Sequence, residues 1–130
     1  MIVVDASVVL EVLLRTPDAS LIERRILAPR EPLYAPHLLD VEVAQVIRRY
    51  YLHGEITGKR GEEALCDLAD MPIDRFPHTS FLPRIWELRD NLTSYDAVYV
   101  ALAETLGCIL VTRDHRLAIS PMHTASVEAF

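Results

Sequence analysis

The sequence predicts an α/β domain with a central, mostly parallel β-sheet covered by helices on both faces. Three observations carry this. Short β-branched or apolar runs alternate with helical segments along the whole chain, the pattern of strand–helix–strand units. The runs Ile2-Val3-Val4 and Cys108 to Thr112 are nearly continuous in apolar character, as parallel strands buried on both faces are. The chain has 130 residues and neither a repeat nor a low-complexity linker, so residues 1–130 form one domain.

The elements follow in order. Ile2 to Val4 is a strand ending at Asp5. Ser7 to Leu14 is a helix broken at Pro17, and Asp18 to Leu27 is a second helix stopped by Pro29. Leu33 to Ala35 is a short strand before Pro36. Asp40 to His53 is a helix whose Val43, Val46, Ile47 and Tyr50 share a face; Asp40 is its expected N-cap and Gly54 closes it. Thr57 N-caps a helix reaching about Ala69, and Ile73 to Phe76 is a strand. Ser80 to Asp90 is a helix that offers Leu82, Ile85, Trp86 and Leu88 to the core. Ser94 N-caps Tyr95 to Leu106, and Gly107 stops it. Cys108 to Thr112 is the next strand, and Ala125 to Val127 a weaker last one.

Composition narrows the function. Hydrophobic residues make up 51% of the chain, but no apolar run reaches the ~18 residues of a membrane span. The N-terminal apolar stretch carries Asp5 and Glu11 and lacks a basic start, unlike a secretory signal. Cys66 and Cys108 form no C-x-x-C pair, and the expected compartment is the cytoplasm. A net charge of −6 argues against a broad basic nucleic-acid surface. The cations are nonetheless grouped, as Arg24-Arg25, Arg48-Arg49, Lys59-Arg60 and Arg113 with Arg116, and arginine suits phosphate recognition. The plain alternative is that these pairs are solvated helix faces.

Four acids fall at corresponding topological positions. Asp5 ends the first strand, Asp114 follows the strand Cys108 to Thr112, and Glu42 and Asp96 are expected in the first turns of their helices. In an open α/β sheet such positions meet at the edge formed by the strands' carboxyl ends, where ligands bind. Two carboxylates ~4 Å apart repel by roughly 4 kcal/mol at an effective dielectric of 20. A cluster persists by raising its pKa values, spreading, or binding cations. Hard oxygen donors favour Mg2+ or Mn2+, and no His/Cys grouping has zinc spacing. Such ions suit hydrolysis of a phosphodiester by an activated water. Ser7 and Thr112, two residues from Asp5 and Asp114, offer hydroxyls that orient ligands or waters. The alternative for Glu42 and Asp96 is a dipole role in the first helical turn, and for Asp5 an N-cap role.

The segments MIVVDASVVLEVLL, APHLLDVEVAQVIRR and NLTSYDAVYVALAETLGCILVTRDHRLA together resemble PIN-domain proteins, in particular the VapC toxins of VapBC toxin–antitoxin systems. With the spacing between them, the resemblance spans nearly the whole chain. Its acidic quartet falls on Asp5, Glu42, Asp96 and Asp114, and its small hydroxyl positions on Ser7 and Thr112. It implies a three-layer α/β/α PIN-like fold and Mg2+- or Mn2+-dependent endoribonuclease activity on tRNA, rRNA or mRNA. It further implies a homodimer, inhibition by a VapB-type antitoxin covering the active site, and higher toxin–antitoxin assemblies. Arg113 and His115, beside Asp114, are candidate RNA contacts, and Trp86, Tyr50 and Tyr51 candidate stacking residues. The helices of residues 6–27 and 40–53 are the expected antitoxin groove.

Three rival readings remain. A phosphorylatable receiver domain also has an acid after its first strand, but needs a lysine near the end of its last strand, and Lys59 is mid-chain. The others are a non-enzymatic binding module whose acids serve caps and solubility, and a DNA nuclease of the same fold.

Overall fold

In the computed structural model, which describes residues 1–27 and 30–130, strands and helices alternate as the patterning requires. They are β1 (Ile2–Val4), α1 (Ala6–Leu13), α2 (Ala19–Ile26), β2 (Leu33–Pro36), α3 (Leu38–Leu52), α4 (Gly58–Asp70) and β3 (Ile73–Phe76). A 3-10 turn (Thr79–Phe81) then precedes α5 (Leu82–Glu87), α6 (Ser94–Leu106), β4 (Ile109–Thr112), α7 (His115–Ile119) and β5 (Ser126–Ala129). The expected stop of α2 at Pro29 lies outside the described residues.

Ile2, Val3 and Val4 are fully buried, so β1 belongs at the sheet centre. The strand order is β3-β2-β1-β4-β5, and every ladder is parallel. The chain walks outward from β1 to β3, then returns across the sheet to β4 and β5. The direction therefore reverses between β1 and β4, whose residues pair from Ile2↔Ile109 to Val4↔Val111. Right-handed crossovers put α1–α4 on one face and α5–α7 on the other. The packing agrees: α1 lies against α2, α3 and α4, while α6 lies against α5 and crosses β1, β2 and β4. This is a three-layer α/β/α sandwich.

α6 forms the middle of its layer because Ala97 to Ala103 are all buried. A helix apolar on every side has no solvent face to offer. Its cap is Thr93, whose hydroxyl accepts from the Asp96 amide at 3.1 Å, one residue before the expected Ser94. Gly107 ends it in the left-handed conformation at φ +62°, a stop glycine adopts without strain.

Other expectations shift in register. α3 starts at Leu38, two residues early, because Leu39 is fully buried and stacks one turn before buried Val43. Asp40 is thus inside the helix, where its carboxylate accepts from Arg75 of β3 at 3.0 Å, and Glu42 sits in the second turn. The helix expected over Ser80 to Asp90 is a 3-10 turn followed by the six-residue α5. Phe81 and Leu88 are buried and Ile85 packs beside them, a three- and four-residue stripe facing α6. Leu82 and Trp86 lie on the other side and are exposed, so neither joins the core. Residues 115–119 form a short helix, α7, that was not expected, and β5 extends past Val127 to Ala129.

Leu102→Ala removes a fully buried side chain from the middle of α6. It is expected to destabilise the fold by about 3 kcal/mol, measured by urea denaturation.

Candidate active site

β1 runs directly into α1, and Asp5 is the joint. Its Oδ1 accepts from the backbone N–H groups of Ser7 (3.0 Å) and Val8 (3.3 Å), so it does cap α1. The cap does not exhaust its role. The Ser7 hydroxyl donates to the same oxygen, and the Thr112 hydroxyl, from β4, donates to Oδ2. Each hydroxyl also accepts a backbone N–H: Arg113 to Ser7 at 2.8 Å, Asp114 to Thr112 at 2.9 Å. The carboxyl ends of β1 and β4 are thereby tied together at the point where the strand order reverses. Thr112 is fully buried and Asp5 nearly so. Burial pushes the Asp5 carboxyl above its ordinary pKa, against these hydrogen bonds, which act to lower it.

The other three acids approach from separate elements. Glu42, on α3, accepts the phenol proton of Tyr99 from α6 at 2.6 Å. Burial raises its pKa first, and the charges of Asp5 and Asp96 raise it further. Asp96, in the first turn of α6, is raised by burial and by Asp114. Asp114 caps α7, accepting from the Arg116 amide at 2.9 Å. The Arg116 guanidinium grips it from the exposed side (2.6 Å at the closest) and holds its carboxyl below the usual range. Glu42 thus lies within electrostatic reach of Asp5 and Asp96, and Asp96 of Asp114, at the carboxyl ends of the strands. Asp96, Asp114 and Arg116 line a hollow of about 170 Å3 with Asn91, Thr93 and Ser120.

The group is loose. Among the described residues, no three His, Cys, Asp or Glu side chains converge to enclose one ion. Each of three carboxylates engages a local donor instead: hydroxyls at Asp5, the phenol at Glu42, the guanidinium at Arg116 beside Asp114. The donor set is all oxygen and anionic. It fits a hydrated magnesium-type cation, which takes one or two carboxylates directly and keeps waters for its remaining positions.

Of the two flanking candidates, His115 is exposed at the start of α7. Arg113 turns away toward Asp18 (3.1 Å) and Glu11 (3.7 Å), since those acids are its nearest counter-charges. One residue at the site, Tyr99, escaped the sequence reading, and Arg116 was legible there only as one of a pair of cations. Tyr99 lies three residues after Asp96 on one helix, a spacing that does place two side chains on neighbouring positions. Arg116 belongs to a five-residue helix too short for periodicity to reveal.

Trp86 is exposed with the Arg89 guanidinium 4.7 Å from its ring centre, and Tyr51 is exposed beside α4. An apolar hollow of about 530 Å3 lies between α3 and α4, bordered by Ala44, Ile47, Tyr51 and Leu65, not between the helices of residues 6–27 and 40–53. Leu13 of α1 belongs to the core, because α1 buries that face against α3 and α4. No helix among the described residues is long and apolar enough to cross a membrane.

Comparison with known proteins matches the PIN domain family over residues 2–119. Ribonuclease VapC9 of Mycobacterium tuberculosis is 44% identical over 118 residues, covering 91% of this chain and 89% of its own. Ribonuclease VapC12 of the same species is 39% identical over 128 residues, covering 98% of each. Among solved structures, VapBC2 from Rickettsia felis, bound to a DNA fragment from its promoter, superposes with a TM-score of 0.71 at 14% identity. That match covers 100% of this chain and 99% of the other, a likeness of fold.

Because burial raises the Asp5 pKa in the folded state, the folded protein binds the extra proton. Stability from this group is full below the ordinary 3.8 and is lost as pH rises through the folded value. Asp5→Asn keeps a capping side chain without the buried charge. In EDTA, urea denaturation at pH 4 and pH 7.5 should show the variant gaining on the wild type at the higher pH.

Proposed function

The chain belongs to the PIN-domain family, in its VapC branch, and from that membership we propose that it is the toxin of a type II toxin–antitoxin pair, a Mg2+- or Mn2+-dependent endoribonuclease. Asp5, Glu42, Asp96 and Asp114 are the residues that would hold the cation. The observation that carries this reading is the crevice where β1 and β4 part. Carboxyls from four distant segments border it; burial raises Asp5, and burial with repulsion from neighbouring acids raises Glu42 and Asp96. Positive charge relieves that repulsion.

When bound, Mg2+ or Mn2+ supplies charge neutralisation at the phosphorus oxygens and makes water a better nucleophile. The chain's own residues do the rest. Ser7 and Thr112 fix both oxygens of Asp5. Glu42 and Asp96 close the crevice from the two helical layers. Arg116, exposed at the rim, offers positive charge to RNA phosphates, and exposed His115 a ring N–H. Hydrolysis forms a bond from a water oxygen to phosphorus and breaks the bond to a ribose oxygen, which departs with a proton. With a net charge of −6, the protein repels RNA until cations offset the crevice.

The same reading names a VapB-type antitoxin as partner and a homodimer as the assembly, with larger toxin–antitoxin complexes built from it. The hollow between α3 and α4 suits an apolar antitoxin segment. Exposed Val41, Leu82, Trp86 and Tyr95 suit a second copy.

Millimolar Mn2+ should raise the melting temperature of the wild type, and Asp5→Asn with Asp96→Asn should abolish the shift; an unchanged melt would favour a binding module. Purified protein should cleave single-stranded RNA or tRNA, lose that activity in EDTA, and spare DNA. Asp5→Asn should slow cleavage about a hundredfold or more, on the scale of several kcal/mol of charge stabilisation. EDTA-resistant cleavage would refute the mechanism, and cleavage of DNA alone would refute the toxin reading.

A further inference from the structure

We propose that Tyr99 is a positioning residue for Glu42: its phenol holds one carboxylate oxygen across the sheet edge so that the other is presented to the cation. The inference rests on the metal-dependent reading of the crevice.

The bond joins the two layers of the sandwich. Tyr99 stands on α6 and Glu42 on α3, on opposite faces of the sheet. The phenol donates to Glu42 Oε1 at 2.6 Å, inside the range of a strong charge-assisted bond. One hydroxyl thus joins two segments that carry site acids: α3 with Glu42 and α6 with Asp96.

Packing alone does not call for this hydroxyl. Tyr99 is 3% exposed, and every other residue from Ala97 to Ala103 is an apolar residue of the core. Phenylalanine would fill the volume without a polar atom to satisfy. A buried hydroxyl is costly unless it has a partner, and the partner here is a site carboxylate. The phenol also stays a donor. Burial, and then the negative charges of Glu42 and Asp5, hold its pKa far above the ordinary value for tyrosine. With Oε1 committed, Glu42 loses rotational freedom. Partners of this kind orient metal-binding carboxylates, and their loss typically costs 10–100-fold in affinity.

The test is a cycle of Mn2+ binding isotherms, read by electron paramagnetic resonance of the free ion. It compares the wild type, Tyr99→Phe, Glu42→Ala and the double variant, each checked for folding by thermal melting in EDTA. Tyr99→Phe is expected to weaken Mn2+ binding about tenfold and to add nothing in the Glu42→Ala background. Glu42→Asp, which keeps the charge and the core but draws the carboxylate back from the phenol, should match Tyr99→Phe. Unchanged or tighter binding by a folded Tyr99→Phe, or losses that simply add, would overturn the positioning role and leave the metal reading standing. No Mn2+ binding by the wild type would overturn both.

Discussion

A carboxylate buried between the ends of two adjacent parallel strands is the constraint around which this protein is built. Asp5 cannot lie there as an isolated charge, because burying an unpaired anion costs more than a small domain has to spare. Four donors therefore converge on it: two amides from the first turn of α1 and two hydroxyls, Ser7 and Thr112. The same hydroxyls accept the amides of Arg113 and Asp114, so the chain leaving β4 is steered by the group that β1 delivers. Capping, strand docking and the placement of Asp114 are one hydrogen-bond network.

Around that centre the remaining acids are arranged by the topology of the sheet. The reversal of strand order opens a crevice between the two helical layers, and one acid enters from each, Glu42 from α3 and Asp96 from α6. Burial sets the three raised carboxyls apart from the single lowered one, Asp114, which the Arg116 guanidinium holds down. Arg116 grips Asp114 and its charge also acts on Asp96, but not on Asp5 or Glu42. The inner end, at Asp5 and Glu42, is the part of the crevice left with excess negative charge, which is where the proposed ion has most to stabilise.

Much of this was legible from the chain, for identifiable reasons. β1 and β4 announce themselves because strands buried on both faces tolerate no polar residue until they end, and the acids stand at those ends. Gly107 and Thr57 were readable as helix punctuation because caps are local chemistry. What escaped depends on tertiary choice. The start of α3 is set by the burial of Leu39, and the orientation of α5 by which stripe meets α6, so Asp40 and Trp86 were misplaced. Tyr99, and the pairing of Arg116 with Asp114, were missed for a related reason. A salt bridge on a short turn and a phenol within an apolar run carry no periodic signature, and only the fold shows what each faces.

The division of Glu42 and Asp96 between opposite layers has a consequence for ion choice. Were the proposed ion seated between them, it would gauge the thickness of the sandwich at its rim, a dimension set by strand and helix packing rather than by a pliable loop. Packed interiors yield little to pressure. Discrimination between a small cation and the larger calcium would then be inherited from the hydrophobic core, and a substitution far from any carboxylate that spreads the layers would loosen selectivity before it loosened the fold.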